Sequence, residues 1–221
     1  MSHYIEKAVV IGATGLTGKK LVYALQALPS CQNIRVIVRR ESAEFANLTK
    51  VEQMVQADFM QLDLSDVNDA THVFSCLGST IKKAGSKAAF RQIDYDINVH
   101  VGQLAAQAWA HFVLISAMGA DASSLFFYNR VKGELEEYLK TLPFKKLSIL
   151  RPSLLLGERG EARRLEDLSQ GLFRKISQFV PQTFRYAPVT AEQVAHTMVV
   201  VAQTQTEKIE IYDNLHIQQT K

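Results

Sequence analysis

Tyr128 and Lys132 stand four residues apart in Tyr128-Asn129-Arg130-Val131-Lys132, a spacing that puts both side chains on one face of a helix. A phenol beside an ammonium can act as a general acid. A ketone or aldehyde that accepts hydride needs a proton for its developing alkoxide, and a tyrosine supplies one only when its pKa falls from about 10 toward the working pH. A fall of about 2 to 3 units corresponds to roughly 3 to 4 kcal/mol. One ammonium at about 5 Å supplies roughly 3 kcal/mol at an effective dielectric near 20, so Lys132 is the expected source of most of it. Ser116, closing the apolar segment His111 to Ser116, is placed to donate to the same oxygen as a neutral group. A Tyr-x-x-x-Lys pair is common by chance, so its weight comes from its position just after that segment.

A second group of residues has the spacing to hold a dinucleotide. Gly12-Ala13-Thr14-Gly15-Leu16-Thr17-Gly18 reads G-x-x-G-x-x-G between the β-type run Lys7 to Ile11 and the helical pattern Lys19 to Leu28, the context in which the motif has meaning. Gly12 permits the sharp turn, Gly15 the approach of backbone to a pyrophosphate, and Gly18 close packing of helix on strand, while amides at the positive helix end face the anion. A P-loop is excluded, because Gly18-Lys19 is followed by Lys20 and lacks the upstream glycine. The second strand ends in Arg39 and Arg40. Two guanidinium forks there suit a 2'-phosphate, which predicts NADP(H) over NAD(H), with Glu41 leaving a free ribose open. Asp58 is placed either to accept from the adenine amino group or to cap its own loop. Leu77 and Gly78, after the fourth strand, leave room for the cofactor ribose.

These residues need a frame with all the loops at one edge. Runs at Lys7 to Ile11, Ile34 to Val38, Val51 to Gln56, Thr71 to Cys76, His111 to Ser116 and Leu147 to Leu150 alternate with helical patterns, among them a long one over Ala88 to Trp109 and another over Ser124 to Thr141. That alternation predicts an α/β fold with a doubly wound parallel sheet, a Rossmann NAD(P)-binding domain. Further segments are a short polar-capped helix near Asp63 to Ala70, a helix near Arg163 to Phe179, one opened by Thr190 with Gln193 at capping-box spacing, and an edge strand Ile209 to Tyr212. Residues 1–221 are read as a single domain in which about 153–190 form a substrate-facing lobe.

The chain resembles the short-chain dehydrogenases/reductases, and within them the atypical branch that includes the human Tat-interacting oxidoreductase and its small bacterial relatives. The resemblance is carried by Ile11-Gly12-Ala13-Thr14-Gly15, Val38-Arg39-Arg40, Cys76-Leu77-Gly78-Ser79-Thr80, Lys83-Ala84-Gly85, Gly119-Ala120-Asp121, Val131-Lys132-Gly133-Glu134 and Leu150-Arg151-Pro152, in that order. It implies that Thr14, Gly15, Leu16, Thr17, Arg39, Arg40, Leu77, Gly78, Tyr128 and Lys132 contact NADPH, with Leu155 and Arg163 closing over it. It also implies Tyr128 as proton donor, assisted by Ser116. Ala117 stands where a second serine is often found. Asn98 is similar to an asparagine of extended relatives, or else it supports its helix.

Composition sets the outer bounds. In 221 residues, 47% are hydrophobic and 21% charged, the balance of a globular protein. A net charge of +3 argues for no nucleic acid partner. No stretch approaches the roughly 18 apolar residues of a membrane span. His100, His111 and His196 share no metal-ligand spacing, so no metal is expected. Lys82, Lys83, Lys87 and Arg91 either attract an anion or form a solvated loop. Trp109 is expected as a packing anchor. Cys31 and Cys76, far apart, are read as buried thiols of a reducing compartment, and with no signal-peptide pattern the expected location is cytoplasmic. The leading functional expectation is an NADPH-dependent reductase of a small carbonyl-type substrate. The rival is an NADPH-binding sensor acting through a protein partner, which would have no use for Tyr128, Lys132 and Ser116 together.

Overall fold

The computed structural model describes residues 4–156 and 185–220. The first strand, β1 (Lys7–Ile11), shows how the sheet is built. Ala8 and Val10 enter one apolar cluster, Val9 and Ile11 the other, so a run without polar alternation is what a strand covered on both faces requires. β2 (Asn33–Val38), β3 (Val51–Val55), β4 (His72–Ser75), β5 (His111–Ile115) and β6 (Lys146–Leu150) follow, with β7 (Leu155–Leu156), β8 (Val189–Thr190) and β9 (Ile209–Tyr212) after them. Among the described residues, seven strands form one parallel sheet in the order β3-β2-β1-β4-β5-β6-β9, and β7 pairs with β8 in a small parallel sheet of its own. This is the Rossmann NAD(P)-binding fold.

One face of the sheet carries α1 (Leu16–Ala27) and, later in the chain, α6 (Ala191–Thr204), which pack on each other and are tied by the Lys20 to Glu192 ion pair at 2.8 Å. Thr190 accepts from the Gln193 amide at 3.1 Å and Gln193 accepts from the Thr190 amide at 2.9 Å, the expected capping box opening α6. The other face carries α4 (Ile97–Gln107) and α5 (Phe127–Lys140). Short helices α2 (Ile81–Ala84) and α3 (Lys87–Arg91) precede α4, and α7 (Asn214–Gln219) ends the described chain. None of these helices is long and apolar enough to cross a membrane.

Several segments depart from the sequence expectations. The long helix over 88–109 is α3 and α4 joined through a π-helical turn, Gln92–Asp96. The segment near 63–70 is a single 3-10 turn, Leu64–Asp66, held by reciprocal bonds between Asp63 and Asp66. α5 starts at Phe127 rather than near Ser124. Trp109 does not anchor packing: it ends α4 with φ 54° and is 61% exposed. The expected helix near Arg163, and most of the expected lobe, lie outside the described residues.

Candidate functional site

Strand order runs outward in both directions from β1 and β4, which opens a crevice at their carboxyl ends. Two loops meet there. Gly12 has φ +73°, and a Cβ on it would lie 2.5 Å from the Cys76 carbonyl carbon; one on Gly18 would lie 2.1 Å from the Gly12 oxygen. Only glycine lets the first turn fold against the loop after β4 while α1 starts directly behind it. Gly15 is the N-cap residue of α1 and supplies no side-chain cap, so the first-turn amides keep their donor capacity. Beside them the Thr17 hydroxyl is buried without a hydrogen-bond partner. An orphaned hydroxyl and an uncapped helix end at a glycine turn fit the pyrophosphate of a dinucleotide.

Next to the turn lies a cleft of about 610 Å³ lined by Thr14, Arg39, Arg40, Glu41, Ser42 and Ala57. Gln53 on β3 fixes its rim, accepting from the Ser42 amide at 2.8 Å and donating to the Ser42 carbonyl at 3.0 Å. Asp58 does not line it; its carboxylate accepts from the Met60 amide at 3.0 Å, the loop-capping alternative.

Beyond β4, Leu77 and Gly78 run over a buried ion pair absent from the sequence expectations. Asp94, in the π-helical turn, meets Lys132 at 2.7 Å and accepts from the Ser79 amide at 2.8 Å. A Cβ on Gly78 would lie 3.2 Å from the Asp94 carboxylate and 3.5 Å from the Lys132 nitrogen, so the pair sits directly under the loop. Burial pushes the Asp94 carboxyl above the ordinary carboxylate range, against the opposing pull of Lys132 and the Ser79 amide. The fully buried Asn98 donates to the carbonyls of Ile93 and Asp94, at 3.1 and 3.3 Å, and accepts from Ser75 at 2.5 Å. It thereby supports its helix, closing the carbonyls that the π turn frees.

Tyr128 is half-buried in the first turn of α5, its ring centroid 5.4 Å from that of Phe90. Lys132 follows one turn on. Its charge is not the isolated ammonium expected from sequence, because the Asp94 carboxylate balances it. Ser116 also differs from expectation: its hydroxyl donates to Glu136 at 2.5 Å instead of standing free for a substrate oxygen. Glu136, fully buried one turn beyond Lys132, also takes a bidentate contact from Arg151, with Nη2 at 2.5 Å and Nε at 3.1 Å. Leu155 lies in β7, packed on the core, and Arg163 is outside the described residues. Of the four basic residues after β4, Arg91 is committed to Glu134 at 2.5 Å and Lys87 stands over the Phe127 ring.

Asp94, Glu136 and Arg151 were missed as site residues, yet two left a signal. Phe90, Asp94, Asn98, Val101 and Ala105 form one inward stripe, in which an acid and an amide interrupt apolar residues. Tyr128, Lys132 and Glu136 repeat every four residues. Arg151, beyond β6, stood out only within Leu150-Arg151-Pro152, which gave no pointer to Glu136.

The parallel sheet with its glycine turn at the switch point is a Rossmann NAD(P)-binding fold shared with solved structures of low sequence identity. Over 95% of its length the chain superposes on 77% of a UDP-N-acetylglucosamine 4-epimerase from Methanobrevibacter ruminantium, with TM-score 0.71 and 15% identity. Over 94% it superposes on 77% of the UDP-glucuronic acid 4-epimerase from Bacillus cereus, solved in complex with NAD, with TM-score 0.67 and 15% identity. The chain belongs to the HIM1 family, whose pattern matches residues 25–189. It is 34% identical to Protein FMP52-1, mitochondrial, of Scheffersomyces stipitis over 204 residues, 91% of this chain and 90% of that protein. It is 37% identical to Protein FMP52, mitochondrial, of Candida albicans over 161 residues, 71% and 70% of the two chains.

Two expectations are corrected by these relatives. The cytoplasmic location is overturned, since the FMP52 proteins are named as mitochondrial. Buried thiols separate a reducing from an oxidising compartment, and do not separate one reducing compartment from another. The preference for NADP(H) is overturned as well, the fold relative from Bacillus cereus holding NAD. In physical terms, Arg39 and Arg40 share the cleft wall with Glu41, a carboxylate that suits ribose hydroxyls and opposes a 2'-phosphate.

Proposed function

We propose that this protein is an oxidoreductase that works with a nicotinamide dinucleotide on a small carbonyl-type substrate, with Tyr128 as the proton donor. The observation that carries the reading is the convergence at one sheet edge of a pyrophosphate-fitting turn and the helix face that bears Tyr128 and Lys132. The first-turn amides of α1, with Thr14, Gly15, Leu16 and Thr17, hold the pyrophosphate. The cleft of Arg39, Arg40 and Glu41 takes the adenosine end, and Leu77 and Gly78 bound the ribose nearer the reaction. A reduced nicotinamide bound there would supply the hydride. The phenol of Tyr128 would give its proton to the oxygen on which charge develops, with Lys132 one turn away on the same helix face. Ser116 orders the end of β5 through Glu136. The sequence features shared with the atypical short-chain reductases support the same assignment of Tyr128 and Lys132.

The test is consumption of reduced nicotinamide dinucleotide by the purified protein with a panel of aldehydes and ketones. Tyr128→Phe is expected to lower turnover by about 10²- to 10⁴-fold while leaving dinucleotide binding within a few-fold. Tight dinucleotide binding with no consumption above the Tyr128→Phe level would replace the enzyme reading by the sensor.

A further inference from the structure

The ion pair beneath Gly78 has a role that packing does not explain. Lys132 and Asp94 are 3% and 0% exposed, and a buried ion pair is a costly way to fill space: apolar residues of similar volume do it as well or better. The pair also sits at a junction. Asp94 joins the loop after β4, through the Ser79 amide at 2.8 Å, to the helix that carries Tyr128, through Lys132 at 2.7 Å. The backbone that presents Asp94 is the π-helical turn, and the buried Asn98 holds that turn by its two carbonyl contacts.

We propose that Asp94 is a positioning residue of the site, holding Lys132 as an ammonium under the cofactor loop and so fixing how much positive charge reaches Tyr128. The proposal rests on the reading of Tyr128 as proton donor and adds a residue to it. A buried amine without a counter-ion sheds its proton, because desolvation penalises the charged form. The groups around the pair leave Asp94 as the counter-ion: from α5, Tyr128 and Glu136 lie one turn to either side of Lys132, and Glu136 is occupied by Arg151 and Ser116; from the loop after β4 comes the uncharged Ser79 amide. With Asp94 ionised, the pair acts on Tyr128 as a dipole rather than as a lone charge.

The test reads the pair directly. Isotope-labelled protein is titrated by NMR, following the Lys132 side-chain nitrogen, identified by its loss in Lys132→Met, and the Asp94 carboxyl carbon. In the unsubstituted protein the two signals are expected to share an inflection at the pH where Asp94 titrates, above 3.8. In Asp94→Asn the Lys132 nitrogen signal should lose that inflection, and in Lys132→Met the Asp94 carboxyl should titrate higher still. Absence of the shared inflection in the unsubstituted protein overturns the proposal even if neither variant folds. A folded Asp94→Asn protein whose Lys132 nitrogen signal keeps that inflection overturns it too. These signals are independent of turnover, so a failed proposal here is distinct from a failed Tyr128→Phe comparison.

Discussion

The two ends of the sheet both bury polar side chains, and they do so in different ways. At the amino ends of β4 to β6, His111 Nε2 lies 2.8 Å from the Ser148 hydroxyl, Ser148 donates to Gln205, and Gln205 donates to the carbonyls of Leu147 and Glu207 at 3.0 and 2.9 Å. His72, its ring 5.1 Å from that of His111, lies 3.2 Å from the Ala202 carbonyl. These groups are buried, and the network closes on backbone. At the carboxyl ends the buried groups include ions, Asp94 with Lys132 and Glu136 with Arg151 and Ser116, beside the uncharged pair of Ser75 and Asn98. A hydrogen-bonded network that ends on backbone secures the order of strands at modest cost. Charged groups buried together at the carboxyl ends are the more expensive arrangement, and their cost is held down by pairing and hydrogen bonds.

The largest effect that would break the contrast is the loss of turnover in Tyr128→Phe described above, with stability unchanged. Glu136→Ala should cost about 3 kcal/mol in urea unfolding, since it strands Arg151 and Ser116 without their shared acceptor; a cost under about 1 kcal/mol would show that the ionic end is dispensable for folding. Ser148→Ala at the opposite end should cost about 2 kcal/mol and leave dinucleotide binding untouched, whereas weakened binding would deny the separation of the two ends.

Asp94 gives a signed pH dependence. Its folded-state pKa lies above the unfolded value near 3.8, so the native state holds that proton longer. Its stabilising contribution is full at low pH and is lost as pH rises through the raised value. The double exchange Asp94→Asn, Lys132→Met should therefore gain on the unsubstituted protein as pH rises from 3.8, by at most about 1.4 kcal/mol per pH unit. Urea unfolding across a pH series checks it, and a flat difference counts against the assignment. Smallest of all, Thr17→Val should leave the free protein as stable or about 1 kcal/mol more so, because it removes an unsatisfied hydroxyl, while calorimetric titration shows weaker dinucleotide binding. Unchanged affinity would mean that Thr17 faces no ligand.

The legible parts share a physical cause. β1 was readable to the residue because a strand buried on both faces is an unbroken apolar run, and Gly12 to Gly18 because the backbone there is too crowded for any side chain at its ends. The π-helical turn was not legible, since nothing in Gln92–Asp96 distinguishes it from α-helix until Asn98 is seen to hold its carbonyls. Likewise Ser116 reads as a free hydroxyl at a strand end until Glu136, 20 residues later, is found against it.

Local sequence determined the order of strands and helices, the phosphate-fitting turn and the Tyr128 to Lys132 face, because each depends on neighbours within a few residues of chain. Only the tertiary structure decided which charges are buried together. Asp94 reaches Lys132 across 38 residues, and Arg151 reaches Glu136 from the far side of β6. Ionic partners are chosen by the packing of α4 and α5 on the sheet, and long-range desolvation of that kind has no period to read.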